Sequence, residues 1–167
     1  MLQDKRKLDE IDISFPGWSV ANGLTAVIER ITGMKMVAEK ATEMNTSYFR
    51  ADFSGAFVLL GERKAMFSIH ADRRSAVEII TAMTKLPGHS LDDRDLADGM
   101  TELANIVGGD VKARLGVAEG PHIMLLPFAV AGSDHSFLYK TKGPIFIRML
   151  RAGEVTLIIQ GHSIDVR

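Results

Sequence analysis

The sequence DGMTELANIVGGDVKARL, residues 98–115, carries the pattern on which the fold prediction rests. Its apolar residues recur every three or four positions, which is the spacing of an amphipathic helix. Gly108 and Gly109 stand inside it, although a glycine in a helix interior costs roughly 1 kcal/mol relative to alanine. Glu102 and Asn105, three residues apart, precede the glycines. The sequence therefore predicts a long helix whose glycines and polar pair need a reason beyond helix formation.

A helical projection at about 100° per residue separates this segment into two faces. The inner face, expected to pack on a sheet, is formed by Leu96, Met100, Leu103, Ala104, Val107, Val111 and Leu115. The outer face is formed by Asp98, Glu102, Asn105, Gly109 and Ala113, with Lys112 at its border and Ile106 beside Glu102. Gly108 lies nearer the inner edge, where a glycine permits close packing. Core packing does not account for Gly109. Because glycine has no side chain, we expect a shallow step at Gly109 on the helix surface, where the backbone of another protein can approach closely.

The composition narrows the class of protein. The chain has 167 residues, 46% of them hydrophobic and 25% charged, which is typical of one globular domain with a sizeable core. Its formal net charge of −1 gives no argument for binding nucleic acid or a membrane. It has no cysteine, which excludes disulfides, a thiol nucleophile and cysteine-ligated metals. The charged N-terminus is unlike a signal peptide and no apolar run is long enough to span a bilayer, so a cytoplasmic protein is expected.

Hydrophobic spacing and turn residues predict the elements of the chain. Helices are predicted at 16–33, 73–86 and 90–116, the last with Ser90 and Asp92 as candidate N-caps. Strands are predicted at 34–44, 47–60, 64–71, 122–130, 136–142, 144–150 and 154–162. A polar leader is expected at residues 1–15, and residues 16–167 are expected to form a single domain.

The order of a helix followed by strands occurs twice, which indicates a diverged duplication. Residues 21–33 align with 104–116, and Gly61, Glu62 and His70 align with Gly153, Glu154 and His162. The alignment predicts an α+β fold of two related halves, each a helix plus strands, with long helices packed on a largely antiparallel sheet.

The stretch ELANIVGGDVK, residues 102–112, resembles the signature helix of the CheX/CheC family of chemotaxis phosphatases. The family pattern is Glu, an aliphatic residue, any residue, Asn and an aliphatic residue, with a glycine four positions after the Asn. The matching residues are Glu102, Asn105, Ile106, Gly109 and Lys112, and Asp98 and Gly99 stand where the family has an acid and a small residue. The resemblance extends from the first helix to the final hairpin and implies a CheC-like fold.

The number of complete motifs resembles CheX, because typical CheC proteins have two. The alignment of the halves places Ser19 opposite Glu102 and Asn22 opposite Asn105. The first half therefore lacks the acid, and no catalytic role is carried onto Asn22.

The resemblance implies a phosphatase that hydrolyses the aspartyl phosphate of a CheY-like response regulator in two-component or chemotaxis signalling. Asn105 would orient the attacking water, and Glu102 would pair with the active-site lysine of the partner. The rest of the partner-binding surface would be formed by Asp98, Ile106, Gly109 and Lys112. No cofactor is expected in this chain, because the divalent ion would belong to the response regulator. The resemblance and the long apolar strand segments together predict a homodimer joined through its sheet.

Two alternatives stay open at this point. A catalytically silent binding module for a receiver domain or a sensory partner would not need to keep both Glu102 and Asn105, and a structural protein related to flagellar-switch components is the other alternative. The histidines show no metal-ligand spacing and are expected singly at the surface or at strand ends: His70, His89, His122, His135 and His162. The sequence has neither a P-loop nor a Gly-x-Ser-x-Gly motif.

Overall fold

A computed structural model describes residues 17–39, 50–62, 64–137 and 146–164, and these residues form three α-helices and seven strands. The helices are α1 (Gly17–Thr32), α2 (Arg73–Thr84) and α3 (Asp93–Glu119). The strands are β1 (Val37–Glu39), β2 (Ala51–Leu60), β3 (Lys64–Ala71), β4 (Ile123–Met124), β5 (Phe128–His135), β6 (Phe146–Ala152) and β7 (Val155–Ser163). The predicted leader, residues 1–15, lies outside the described residues.

The strands form one antiparallel sheet in the order β1-β6-β7-β3-β2, and both β4 and β5 pair with the far side of β2. The helices pack on one face of the sheet, and α3 makes its main sheet contact with β2. The core between them contains three fully buried phenylalanines, Phe53, Phe57 and Phe67, and the Phe57 and Phe67 rings stack with centroids 5.2 Å apart. The predicted α+β architecture is confirmed.

The sheet order also confirms two related halves. Exchanging β1 with β5, β2 with β6 and β3 with β7 gives the same strand neighbours, read from the opposite edge of the sheet. At the centre, Ser68 of β3 lies opposite Gln160 of β7, and the alignment that places His70 on His162 places these two residues on each other. The helix that opens each half, α1 or α3, packs against the other. The two halves are therefore related by an approximate two-fold axis through the β3–β7 pair.

The helices α1 and α2 end within two residues of the predicted ends, at 32 rather than 33 and at 84 rather than 86. Gly33 has a φ of 73° directly after α1, a backbone conformation that glycine adopts without strain. The Asp72 carboxylate caps α2 by accepting a hydrogen bond from the Ser75 amide at 2.7 Å. Lys85, with a φ of 63°, ends α2 before Pro87.

The helix α3 differs from the prediction at both ends. Asp92 is the N-cap, and it exchanges hydrogen bonds with Asp95 in a capping box. Ser90 is not a cap, because its hydroxyl donates to the Pro87 carbonyl at 2.7 Å within a short 3-10 turn. The predicted end at Gly116 is wrong: the helix continues to Glu119, and Gly120, with a φ of 87°, ends it.

Two predicted strands need correction. The segment 122–130 is two strands rather than one, separated at residues 125–127, because Pro127 has no amide hydrogen to donate to a ladder. In the predicted strand 136–142, residues 136 and 137 follow β5 without strand structure, and 138–142 lie outside the described residues. Within the described part of the chain, no helix combines the length and hydrophobicity needed to span a membrane.

Candidate functional site

The orientation of α3 is fixed by what its inner face buries. All seven residues predicted to face the sheet are at most 2% exposed: Leu96, Met100, Leu103, Ala104, Val107, Val111 and Leu115. Gly55 in β2 allows the close approach, because a Cβ atom there would overlap the Met100 carbonyl oxygen. The opposite face of α3 therefore points away from the sheet.

The outer face of α3 carries the residues that the sequence selected. Five of them are exposed, namely Asp98, Glu102, Asn105, Gly109 and Lys112, and Ile106 is half-buried because it packs against the core. Residues three apart on a helix have Cβ atoms about 5–6 Å apart, so Glu102 and Asn105 can contact one partner group together. Neither side chain makes a hydrogen bond or ion pair with the described part of the chain.

The two glycines of α3 have different surroundings. A Cβ atom on Gly108 would lie 2.5 Å from Met124 Sδ and 3.0 Å from the Phe57 ring, so the close packing on β2 and β4 leaves little room for a side chain there. A Cβ atom on Gly109 would have nothing within 4 Å. Gly109 is therefore open toward the outside, one turn beyond Asn105.

Contacts with α1 and α2 hold α3 on one flank. The Arg114 guanidinium donates to the Asp110 carboxylate at 2.6 Å and lies directly against Gly23 of α1. A Cβ atom on Gly99 would lie 2.5 Å from Ile80 of α2. Strand β4 lies on the other flank through Met124. The helix α3 is thus packed against the sheet, against α1 and α2, and against β4, and only its outer face is exposed.

The histidines are placed differently from the expectation of single surface residues. His70, His122 and His162 are buried, at 3%, 5% and 4% exposure. His70 also shares a hydrogen-bond partner with His135, since Ser54 Oγ lies 2.7 Å from a ring nitrogen of each. The sequence analysis did not predict this hydrogen-bond network. The only sequence feature that indicates it is the alternation of Ser54, Ser68 and His70 with apolar residues in β2 and β3. No group of acidic or histidine side chains in the described residues could hold a metal ion.

A comparison with models of known protein families identifies the family of this chain. Residues 53–150, more than half of the chain, match the family described as Chemotaxis phosphatase CheX. The chain belongs to the CheX family. The matched range contains all of α3, and with it Glu102, Asn105 and Gly109.

Solved structures of CheX proteins share the fold. The CheX chemotaxis protein of Vibrio vulnificus superposes with a TM-score of 0.72 at 23% identity, over 85% of this chain and 91% of that one. CheX of Desulfovibrio desulfuricans gives 0.73 at 16% identity, over 92% and 99%. CheX of Borrelia burgdorferi, in a complex with CheY, BeF3 and Mg2+, gives 0.70 at 14% identity, over 88% and 96%. No curated protein sequence matches the chain significantly.

Proposed function

We propose that this CheX-family chain is a phosphatase that hydrolyses the aspartyl phosphate of a CheY-like response regulator, with Glu102 and Asn105 as its site. The observation that carries the proposal is the pairing of these two exposed side chains on α3 with the open step at Gly109. A binding helix needs such a step if a second protein is to bring its backbone close. The inner glycine, Gly108, is explained by packing, whereas Gly109 is explained only by access.

The chemistry requires positioning more than acid–base groups. Hydrolysis of an acyl phosphate needs a water in line with the scissile P–O bond, and catalysis is mainly positioning and charge stabilisation. The Asn105 amide has one acceptor oxygen and a donor NH2 group, so it can orient such a water without ionising. Its exposure on α3 lets it enter a partner's active site. Asn105 is therefore the catalytic residue in this proposal.

Glu102 supplies the charge that docks the partner. A carboxylate on the exposed helix face can pair with a lysine of the response regulator and fix the register of the two proteins. The rest of the proposed partner-binding surface surrounds Glu102. Asp98 adds a second acid and Lys112 a cation, Ile106 offers an apolar contact, and Gly109 leaves the open step. The divalent ion that phosphoryl transfer uses would be held by the regulator, so this chain needs no cofactor of its own.

The partner class is supported by the Borrelia burgdorferi relative, whose solved complex contains CheX together with CheY, BeF3 and Mg2+. That protein shares the fold over 88% of this chain. Transferring its partner class to this chain gives a receiver domain as the phosphorylated substrate. A cytoplasmic location goes with such a partner.

We also propose that the protein is a homodimer joined through the β4–β5 edge of the sheet. In the described chain β4 and β5 pair only with β2, so their outer backbone groups face no strand. Large apolar side chains stand on this edge, with Ile123 66%, Leu125 45% and Phe128 43% exposed. An apolar open edge is a template for another strand. The segments 144–150 and 154–162 do not provide the edge, because β6 and β7 lie inside the sheet.

The alternative is a catalytically silent binding module that recognises a receiver domain or a sensory partner. The two functions are separated by one pair of measurements on response regulators encoded near the gene. Each regulator is phosphorylated with acetyl phosphate, freed of excess donor and mixed with the protein, and phosphate release and binding are followed in parallel. The phosphatase proposal expects accelerated release. Binding without acceleration for every regulator bound would overturn it and support the silent module.

A further inference from the structure

The strands β4 and β5 are separated by a break at residues 125–127 that contains two exposed leucines. Leu126 is 91% exposed and Leu125 is 45% exposed. Leu125 still belongs to the edge of the sheet, because its amide donates to the Val58 carbonyl at 2.9 Å. A single exposed leucine is common on protein surfaces, so the position of Leu126 decides whether it has a role.

Both ends of this break are held against α3. Before it, a Cβ atom on Gly108 would lie 2.5 Å from Met124 Sδ. After it, Ala129 pairs with Gly55 of β2, and a Cβ atom on Gly55 would overlap the Met100 carbonyl oxygen. The segment between these two contacts therefore runs antiparallel to α3, along one flank of the helix.

The helical positions place Asn105 on the same flank. Gly108 faces β4, and Asn105 is three residues before it, so the two are neighbours on the helix surface. Each step of three residues moves about 60° around a helix, so Asn105 lies between Glu102 and the β4 flank. Leu126 stands in the middle of the adjacent segment, at the level of the turn that carries Asn105.

The large apolar side chains of the neighbouring strands face away from α3. Ile123 and Phe128 pair with the β2 residues Leu60 and Ala56. These β2 residues alternate with those that pack under the helices, so they lie on the opposite face of the sheet. Leu126 lies in the break, outside this ladder. The proposed dimer edge and the flank of α3 thus use different side chains.

We propose that Leu126 is an apolar anchor for the phosphorylated response regulator: when Asn105 enters the active site of the regulator, Leu126 is buried against an apolar side chain beside that site. The inference rests on the function proposed above and adds a contact to the same surface. It requires the regulator to carry an apolar side chain next to its phosphorylated aspartate, on the side away from the group that pairs with Glu102.

The anchor should contribute to binding and not to the chemical step. Burying a leucine side chain corresponds to a gain in affinity of about tenfold to a hundredfold. Leu126 would contact the regulator away from the reacting atoms, so its contribution would be the same in the ground state and in the transition state. Loss of such a contact raises KM and leaves kcat unchanged. Leu126 is therefore a specificity residue in this proposal.

Phosphate release at increasing concentrations of the regulator, phosphorylated with acetyl phosphate, tests the anchor. Leu126→Ser should raise KM by about tenfold or more and leave kcat unchanged. Leu126→Met keeps the apolar surface and should restore the KM of the wild type. Because the side chain is 91% exposed, both variants should fold as the wild type does.

Val117→Ser is the matched control. Val117 is 92% exposed and lies twelve residues after Asn105, about 18 Å along the helix. It is on the flank of α3 from which Arg114 contacts α1, so its substitution should leave KM unchanged. An unchanged KM in Leu126→Ser, or an equal rise in both serine variants, would overturn the anchor. A lower mass of Leu126→Ser in light scattering, with an unchanged KM, would overturn it too and assign the residue to the dimer edge.

Failure of the anchor and failure of the phosphatase function give different results. A wild type that accelerates phosphate release, with the same KM as Leu126→Ser, contradicts the anchor alone. A wild type that binds the regulator without accelerating release contradicts the phosphatase function alone, and the Kd of the two serine variants then decides the anchor. A wild type that binds no regulator would overturn both.

Discussion

Gly108 and Gly109 are neighbours in α3 with opposite surroundings: a Cβ atom on Gly108 would lie 2.5 Å from Met124 Sδ, and one on Gly109 would have nothing within 4 Å. The first glycine belongs to the fold, because it lets β4 and β2 pack closely under the helix. The second belongs to the surface, beside Glu102 and Asn105. This difference assigns Gly108 to packing and leaves Gly109 free for the partner binding that we propose.

Substitution of the two glycines should therefore have opposite effects on stability. Gly109→Ala should raise the free energy of unfolding by about 1 kcal/mol, because alanine is the better helix former and the space is open. Gly108→Ala should lower it, because the methyl group would collide with Met124 and the Phe57 ring. Urea unfolding of both variants measures the difference. Equal effects of the two substitutions would contradict the packing described.

A larger side chain at the open glycine tests access. Gly109→Leu should remain folded by circular dichroism and yet lose most of its binding to the phosphorylated regulator, because leucine fills the step. Glu78→Leu at an exposed position within α2 is the control for added hydrophobicity. A folded Gly109→Leu protein with full activity would show that the partner does not approach here.

The dimer proposal predicts a difference between the two edges of the sheet. Ile123→Lys combined with Phe128→Lys places charges on the β4–β5 edge and should convert the dimer to a monomer. Val37→Lys, on the β1 edge and 60% exposed in the wild type, is the matched control and should leave the dimer intact. Light scattering over a dilution series gives the masses. A monomeric mass of the wild type at micromolar concentration would rule the dimer out.

Acid should destabilise the protein through its buried histidines. Burial lowers the pKa of His70 from 6.5 to about 4, so between these values the unfolded chain binds the proton and the folded chain does not. The stabilisation is complete above pH 6.5 and is lost as the pH falls toward 4. For His70 alone the free energy of unfolding should drop by about 2 kcal/mol between pH 7 and pH 5.

The measurement is urea unfolding at the two pH values. His70→Gln should flatten the dependence, even if it lowers stability at pH 7, whereas His89→Gln at an exposed position should not change it. The same slope in the wild type and in His70→Gln would mean that other groups control the acid sensitivity.

The faces of α3 could be predicted from the sequence because hydrophobic burial follows helical periodicity. Every residue assigned to its inner face is buried. The end of the helix could not be predicted, since Gly116 and Gly120 are both glycines after an apolar stretch, and only Gly120 has the positive φ, 87°, that a helix stop uses. The amino-acid sequence does not show which of the two glycines adopts a positive φ.

The histidine network could not be predicted because it depends on strand register. Ser54 and His70 lie opposite each other on β2 and β3. His135 contacts the same serine because the bulge in β5 shifts the register of the strand and brings the His135 ring to Ser54. Strand neighbours and bulges are set by tertiary packing rather than by local pattern. The exposed pair Glu102 and Asn105 was predictable for the opposite reason, since both stand on one helix face.

The central claim concerns Asn105, and its most direct test is phosphate release from the phosphorylated regulator in the presence of Asn105→Ala. Binding is measured on the same samples, with Glu102→Ala as the docking variant and Glu78→Ala, an exposed acid on α2, as the control. The account predicts that Asn105→Ala loses the acceleration of phosphate release, by about a hundredfold or more for a lost positioning group, while binding is largely retained. Glu102→Ala should weaken binding as well, and Glu78→Ala should behave as the wild type. An unchanged rate of phosphate release with Asn105→Ala would contradict the account.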